Sequence, residues 1–344
     1  MSVLSILVAI LIFGFIIFIH ELGHFVAAKL SGISVLQFSI GFGPALFKKQ
    51  WGETLYALRI IPLGGAVMMK GADDEEELLV GKTPELTPTV EGEPVDPDAG
   101  SYYSVPKWKR LITVSAGPIM NFILGALILF FIFIPAEQLS TPVIGQLMEG
   151  FPYTEYFQEG DRFVSVNGFH AFTKDDVQMG LSLGAGRPMS FTIERDGEKL
   201  KYENIDFKAT VLDEASGRTL YGFVFATQEG TVLNTVGYAF KSAVTYLQSA
   251  IKGLQMLFTG QAGVKDMMGT VGIANQISGL VQTSAVATWD FVAFISVNLA
   301  LMNLLPIPAL DGGKILFLII ETIRGRRVSA KVEGAVSMVS LVLS

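Results

Sequence analysis

Cysteine is absent from this 344-residue chain. That excludes disulfides, thiolate metal sites and a cysteine nucleophile. Histidine is nearly absent: only His20, His24 and His170 occur, so any imidazole chemistry draws on those three. Charge is scarce too. Asp, Glu, Lys and Arg make up 17% of the residues and apolar types 50%, whereas soluble domains carry about 25% charged residues. These figures exclude a disordered chain and argue against an ordinary soluble enzyme. No basic patch with interleaved aromatics is present, so nucleic acid is not an expected partner. The formal net charge of −7 is local in origin. Residues 72–100 hold ten acids and one base, Lys82, and the remainder carries 24 − 22 = +2.

Long apolar runs are what the chain does have. The first covers residues 3–19 and resumes at Phe25–Ala28. A membrane span needs about 20 apolar residues. No positive n-region precedes this run and no small-residue cleavage site follows, so it reads as a retained transmembrane helix, not a signal peptide. A second run is Leu111–Ile134, ended by Pro135, and a third is Val286–Leu305. A fourth begins near Lys314, breaks at Arg324–Arg327 and resumes from Val332, where the remaining 13 residues are short for a span. Lys29, Lys107, Lys109 and Arg110 flank the first loop, and Arg324, Arg326 and Arg327 follow the third run. The positive-inside bias then puts residues 30–110 in the cytoplasm and residues 136–285 outside.

The spacing divides the chain further. Residues 31–71 mix β-formers with Gly41, Gly43, Pro44, Pro62, Gly64 and Gly65, which predicts hairpin strands with tight turns. Residues 72–105 carry the acids and four prolines and read as a solvated linker. Residues 140–212 alternate apolar and polar, and Asp196-Gly197 is a hairpin turn signal. Residues 230–283 read as an amphipathic segment lying on the membrane. The spans fall in 1–30, 106–136 and 284–344. The expected fold class is a multi-pass α-helical membrane protein with about four transmembrane helices, a membrane-associated β-hairpin loop and one extracytoplasmic α+β domain.

The chemistry centres on His20-Glu21-Leu22-Gly23-His24. On a helix, i and i+4 share a face, so both imidazoles can reach one Zn²⁺ while Glu21 takes a proton from water. By composition such a match arises by chance about once in 700 chains of this kind. Three ionisable groups in one span are costly without a function. A zinc site needs a third protein ligand, and His170 lies in the outside domain. Asp290 and Asp311 compete for the role, with Glu321 behind them. His20 lies roughly 26 Å into the first span, toward the cytoplasmic side. Asp311, just past Pro306 and Pro308, matches that depth. Asp290 falls near the outer end of its span beside Trp289 and reads better as an interfacial anchor.

These motifs resemble the site-2 protease family of intramembrane zinc metalloproteases, in its bacterial RseP-type branch. His20–His24 is similar to the family's H-E-x-G-H, and Asn303–Gly312 to its N-x-x-P-x-P-x-L-D-G. Ile40–Pro44 and Pro62–Gly65 resemble its membrane-inserted β-loop, and Gly117-Pro118 with Asn121 its second-span signature. Residues 140–212, with Glu159-Gly160-Asp161 and Val166-Asn167-Gly168, look like a PDZ domain. Two departures stand out: room for one PDZ-like domain rather than two, and Gly269-Thr270 where the family has Gly-Pro.

The resemblance implies an intramembrane zinc endopeptidase in the cell inner or plasma membrane, with its active site toward the cytoplasm. Its substrate would be the transmembrane helix of a membrane-bound protein, such as an anti-sigma factor or remnant signal peptide, already trimmed by another protease. His20, His24 and Asp311 would bind Zn²⁺ and Glu21 would be the general base. Asn303, Pro306 and Pro308 would hold the unwound substrate, with Gly43 and Gly64 of the β-loop beside it. The rival classes are a catalytically inactive membrane scaffold binding partners through its PDZ-like domain, and a transporter. An intact metal motif disfavours the first, and the lack of inverted repeats disfavours the second.

Overall fold

Long apolar runs become long helices. The computed structural model describes residues 3–72, 99–208, 211–213, 218–260 and 270–326. The acidic stretch 73–98 and the final segment 327–344, where a fourth span was expected to resume, lie outside the described residues. Among those described, three helices are long and apolar enough to cross a membrane: α1 (Val3–Ser31), α2 (Lys107–Phe133) and α6 (Ala285–Leu304). At 1.5 Å per residue, α1 is about 43 Å long. Gly32, at φ 82°, ends α1, and the Ile33 amide turns back to the Ala28 carbonyl at 2.9 Å. This satisfies a carbonyl that the end of a helix leaves open. Ser284 caps α6 by accepting from the Ala287 amide.

The chain forms two compact units, Met1–Gly125 with Lys265–Ser344, and Ala126–Val264. In the first, β1 (Val35–Trp51) and β2 (Thr54–Met69) form a hairpin folded on itself. One ladder runs antiparallel from Trp51↔Thr54 to Phe42↔Ile61, and another joins Gln37–Ile40 to Gly65–Met68. A third set of pairs runs from Gln37↔Leu55 to Ile40↔Leu58, with both segments ascending together. Residues 37–40 are therefore paired on both flanks. Lys29 of α1 forms an ion pair with Glu53 at the hairpin turn. Partial burial alone would raise the Glu53 carboxyl, but the Lys29 ammonium and Ser34 hold it below the usual range. The first unit also contains α5 (Thr270–Thr283), packed between α1 and α6, and α7 (Asp311–Arg324).

The second unit is built on an antiparallel sheet. Its strands are β3 (Gln138–Leu147), β4 (Arg162–Val166), β5 (Phe169–His170), β6 (Met189–Arg195), β7 (Glu198–Ile205) and β10 (Phe223–Glu229). Their order is β10-β3-β4-β6-β7, with β5 on β4. The sheet thus continues past residue 212, the limit read from the alternation. β8 (Val211–Asp213) pairs separately with β9 (Arg218–Leu220). Met189, Phe191 and Ile193 alternate inward from β6, as the two-residue period of a strand requires. Asp196 and Gly197, both at positive φ, join β6 to β7 as the two-residue turn that suits strand twist. Helix α3 (Lys174–Gly184) covers the sheet with Val177 and Leu181.

Helix α4 (Val232–Phe258) belongs to the same unit and is amphipathic in an inverted sense. It buries Thr235, Tyr238, Ser242 and Thr245, and exposes Leu233, Val236, Phe240, Ile251 and Phe258. The Tyr238 ring meets Phe133 at 4.9 Å, and Thr245 reaches Thr173 at 3.4 Å.

Phe157 sits at the centre of this unit's core, fully buried among Phe163, Phe191 and Phe207. Truncation there removes a ring that nothing can replace. Phe157→Ala should destabilise the sheet by about 3–5 kcal/mol. Hydrogen exchange of the β4 and β6 amides measures it, with Met179→Ala, at a half-exposed position of α3, close to neutral.

Candidate metal centre

The site forms where α1 crosses α2. The approach is too close for side chains at the contact. A β-carbon at residue 23 would stand 2.5 Å from the Ala116 carbonyl oxygen, and one at residue 117 would stand 2.2 Å from His24 Nε2 and 2.8 Å from His20 Cε1. Gly23 and Gly117 are thus what let the two imidazoles lie against α2. Pro118 follows at once and removes one bond of the α2 ladder.

Helix spacing puts His20 and His24 one turn apart on a buried face, 9% and 7% exposed. Their Nε2 atoms lie 3.2 Å apart. Asp311 is the first residue of α7, and its Oδ2 lies 3.2 Å from each Nε2. The three atoms make a near-equilateral triangle. Asp311 is delivered there by the turn after α6. Leu304 ends the helix, the Ile307 amide bonds Leu305 at 2.7 Å, and the Leu310 amide bonds Ile307 at 2.9 Å. Gly312 and Gly313 pack directly on the backbone of this turn.

The outer nitrogens fix the rings. His24 Nδ1 lies 2.8 Å from the Thr113 carbonyl and must donate to it. Neutral His24 then turns the Nε2 lone pair toward Asp311. His20 Nδ1 lies 3.4 Å from the Asn121 side-chain amide, whose Oδ1 is buried without a donor among the described residues. Rotation of that amide by 180° lets Oδ1 accept from Nδ1–H, which directs the His20 lone pair inward as well. Asp311 Oδ2 is itself buried with no hydrogen-bond donor among the described residues. Three lone-pair atoms facing one another at 3.2 Å repel unless a cation stands between them. A tetrahedral ion with ligand atoms at this spacing has bonds of about 2.0 Å, as Zn–N and Zn–O bonds do. The donor set, two imidazoles and a carboxylate with one position open, is that of a hydrolytic zinc site. The residues fit the ion, and backbone or amide oxygens orient both ligating rings from behind.

Glu21 lies half-buried beside this triangle. A β-carbon on Gly65 of β2 would stand 2.6 Å from its Cγ, so the hairpin meets the carboxylate side of the site. Gly65 also lines a groove of about 650 Å³ on the hairpin, with Gln37, Ser39, Gly43, Arg59 and Met68. Gly43 lines the same groove as Gly65. Gly64, at φ 95°, packs beneath the Phe42 ring instead. Asn303 is half-buried on the last turn of α6, while Pro306 is exposed and Pro308 half-buried in the turn that follows. None of the three lines the groove.

The other acids and the third imidazole lie elsewhere. His20, His24 and Asp311 are the one group of potential metal ligands found among the described residues. Asp290 lies near the start of α6, twenty-one positions before Asp311, and is outside that group. Glu321 is engaged by Arg110 at 2.8 Å. His170 is exposed on β5, its backbone bonded to Gln248. The Thr113 carbonyl was invisible to motif reading, because a backbone acceptor leaves no residue signature.

Gly117→Ala should push the imidazoles off α2 while α2 stays helical. Bound divalent metal should fall about tenfold or more, in line with loss of ligand orientation. Elemental analysis together with circular dichroism checks both halves of that expectation.

A model of peptidase family M50 matches residues 8–344. The Regulator of sigma-W protease RasP of Bacillus subtilis is 31% identical, over 99% of this chain and 95% of that protein. Zinc metalloprotease RasP of Bacillus licheniformis is 30% identical, over 98% of this chain and 95% of its own length. The protein of the same name from Geobacillus kaustophilus is 30% identical, over 98% and 94% respectively. Similarity that runs through nearly the full length of each chain leaves one assignment: the protein belongs to peptidase family M50, the site-2 protease family of metalloproteases.

Proposed function

We propose that this protein is an intramembrane zinc endopeptidase that cuts the transmembrane segment of membrane-bound proteins. The observation that carries the reading is the 3.2 Å triangle of His20, His24 and Asp311 with Glu21 at its side. These three residues would hold Zn²⁺. When bound, the ion supplies a Lewis acid and a water acidified to a pKa of about 7. Glu21 takes the proton from the attacking water and returns it to the leaving amine nitrogen. An inactive scaffold has no use for three converging lone pairs in an apolar setting, so the catalytic reading is favoured.

A peptide bond inside a helix has its carbonyl already hydrogen-bonded. The substrate must unwind first, and strand pairing along the hairpin edge at Gly65–Met69, which adjoins Glu21, supplies replacement partners. Asn303, Pro306, Pro308 and Gly64 serve this step in the same reading, and so does Gly43, which lines the groove. In the same reading, α1, α2 and α6 span the membrane, with the catalytic group toward the cytoplasm. The sheet of the second unit is an extracytoplasmic PDZ-like domain that screens partners. The exposed apolar face of α4 rests on the bilayer surface. The substrates in this reading are of the anti-sigma-factor kind, first cut by another protease; the Bacillus subtilis relative is named a regulator of sigma-W protease.

Glu21→Gln should retain about one zinc per chain and lose cleavage of a model transmembrane substrate by several orders of magnitude. Cleavage at the wild-type rate would remove Glu21 from its role. Asp311→Ala should lose zinc and Asp290→Ala should keep it, as read by metal analysis of the purified variants.

A further inference from the structure

The basic start of α2 reads in the sequence as a topology signal. In the fold, each of its three cations holds a helix that carries a metal-ligating residue. Lys109 Nζ donates to the carbonyl of Ser31 at 3.0 Å, the last residue of α1, which bears His20 and His24. Arg110 donates through Nη1 to Glu321 Oε2 at 3.0 Å and through Nη2 to Oε1 at 2.8 Å. Lys107 Nζ adds a bond to the Glu321 carbonyl at 3.2 Å. Glu321 lies on α7, the helix that Asp311 opens.

This ion pair is not an exposed surface contact. Arg110 is 5% exposed. Its guanidinium lies over the rings of Tyr102 and Tyr103, at 5.7 and 5.4 Å. A forked pair shielded in this way fixes orientation as well as distance. Helix α7 requires such a constraint. Its Asp311 end follows a non-helical turn containing Pro306 and Pro308, and Glu321 lies ten residues further on, about 15 Å along the axis. One helix residue corresponds to a 100° turn about the axis, so a modest roll of α7 would carry the Asp311 carboxylate away from both imidazoles. Anchoring the far end sets that roll.

We propose that the Arg110–Glu321 pair is a positioning clamp that holds Asp311 in register with His20 and His24. With Lys109 fastening α1, the first turn of α2 is the common reference for both ligand-bearing helices. The inference rests on the reading of these three residues as the zinc ligands. Neither Arg110 nor Glu321 belongs to the group of potential metal ligands.

The test is zinc competition against a chromophoric chelator on the full-length, detergent-solubilised protein, with the visible spectrum of the Co²⁺-substituted form as a second readout. Arg110→Met and Glu321→Gln should each weaken zinc binding about tenfold, the low end of the range for residues that hold ligands in place, and broaden the Co²⁺ bands. The double variant should be no worse than the weaker single one, because the two side chains act as a unit. Arg110→Lys, a point charge without the fork, should fall between. Glu321→Gln keeps the side-chain shape and serves if Arg110→Met does not fold. A lowered melting temperature with unchanged zinc affinity and unchanged Co²⁺ spectrum overturns the proposal, as does an additive loss in the double variant. Asp311→Ala separates the two claims. Retained zinc in that variant refutes the ligand assignment. Lost zinc there, with wild-type affinity in Arg110→Met and Glu321→Gln, refutes only the clamp.

Discussion

Mutual repulsion among three buried lone pairs is the constraint around which the first unit is arranged. His20 Nε2, His24 Nε2 and Asp311 Oδ2 stand 3.2 Å apart in a largely apolar setting. With both imidazoles neutral, that grouping is not stable by itself. The surrounding fold must press the groups together and leave a void for a positive charge. Two glycines at the α1–α2 crossing do the first. Polar atoms behind the rings, from Thr113 and Asn121, do the second by turning the free nitrogens inward. Such a grouping is a binding site before anything is bound, because the separated charges have already been desolvated and aligned.

The same logic extends outward from the triangle. Ser296 Oγ donates to the Asn121 carbonyl at 2.7 Å, so α6 supports the residue that orients His20. α7 is short and is fixed at both ends, by the turn at Asp311 and by Glu321. The hairpin is tied to α1 through Lys29 and Glu53 at its turn, and it reaches Glu21 at Gly65. α7 and the hairpin are thus each held at two points.

Much of the helical framework could be read from the chain. The runs from residue 3, from Leu111 and from Val286 became α1, α2 and α6 because apolar stretches of that length have few alternatives once long enough to span lipid. Spacing alone singled out His20, Glu21 and His24, and matching depth favoured Asp311 over Asp290; the fold brings His20, His24 and Asp311 together. Other features were hidden because they exist only between segments distant in sequence. Gly117 stands in the sequence only as part of a second-span signature until an imidazole is found against it. Arg110 looks like a topology charge and Glu321 like a spare ligand until their fork is seen. The doubled ladder of residues 37–40 was equally invisible, since alternation reports which face a residue takes but not how many neighbours its strand has.

That doubled ladder limits how the hairpin can be extended. Residues 37–40 have no free side, so a further strand could join only along Gly65–Met69 or along the outer stretch ending at Trp51. Only the first of these borders Glu21. A guest chain aligned there would be measured in steps of about 3.3 Å from Gly65, by its main chain and not by its side chains. The bond presented for attack would then be chosen by counting along the backbone, and guests of unrelated sequence would be handled alike provided they can straighten.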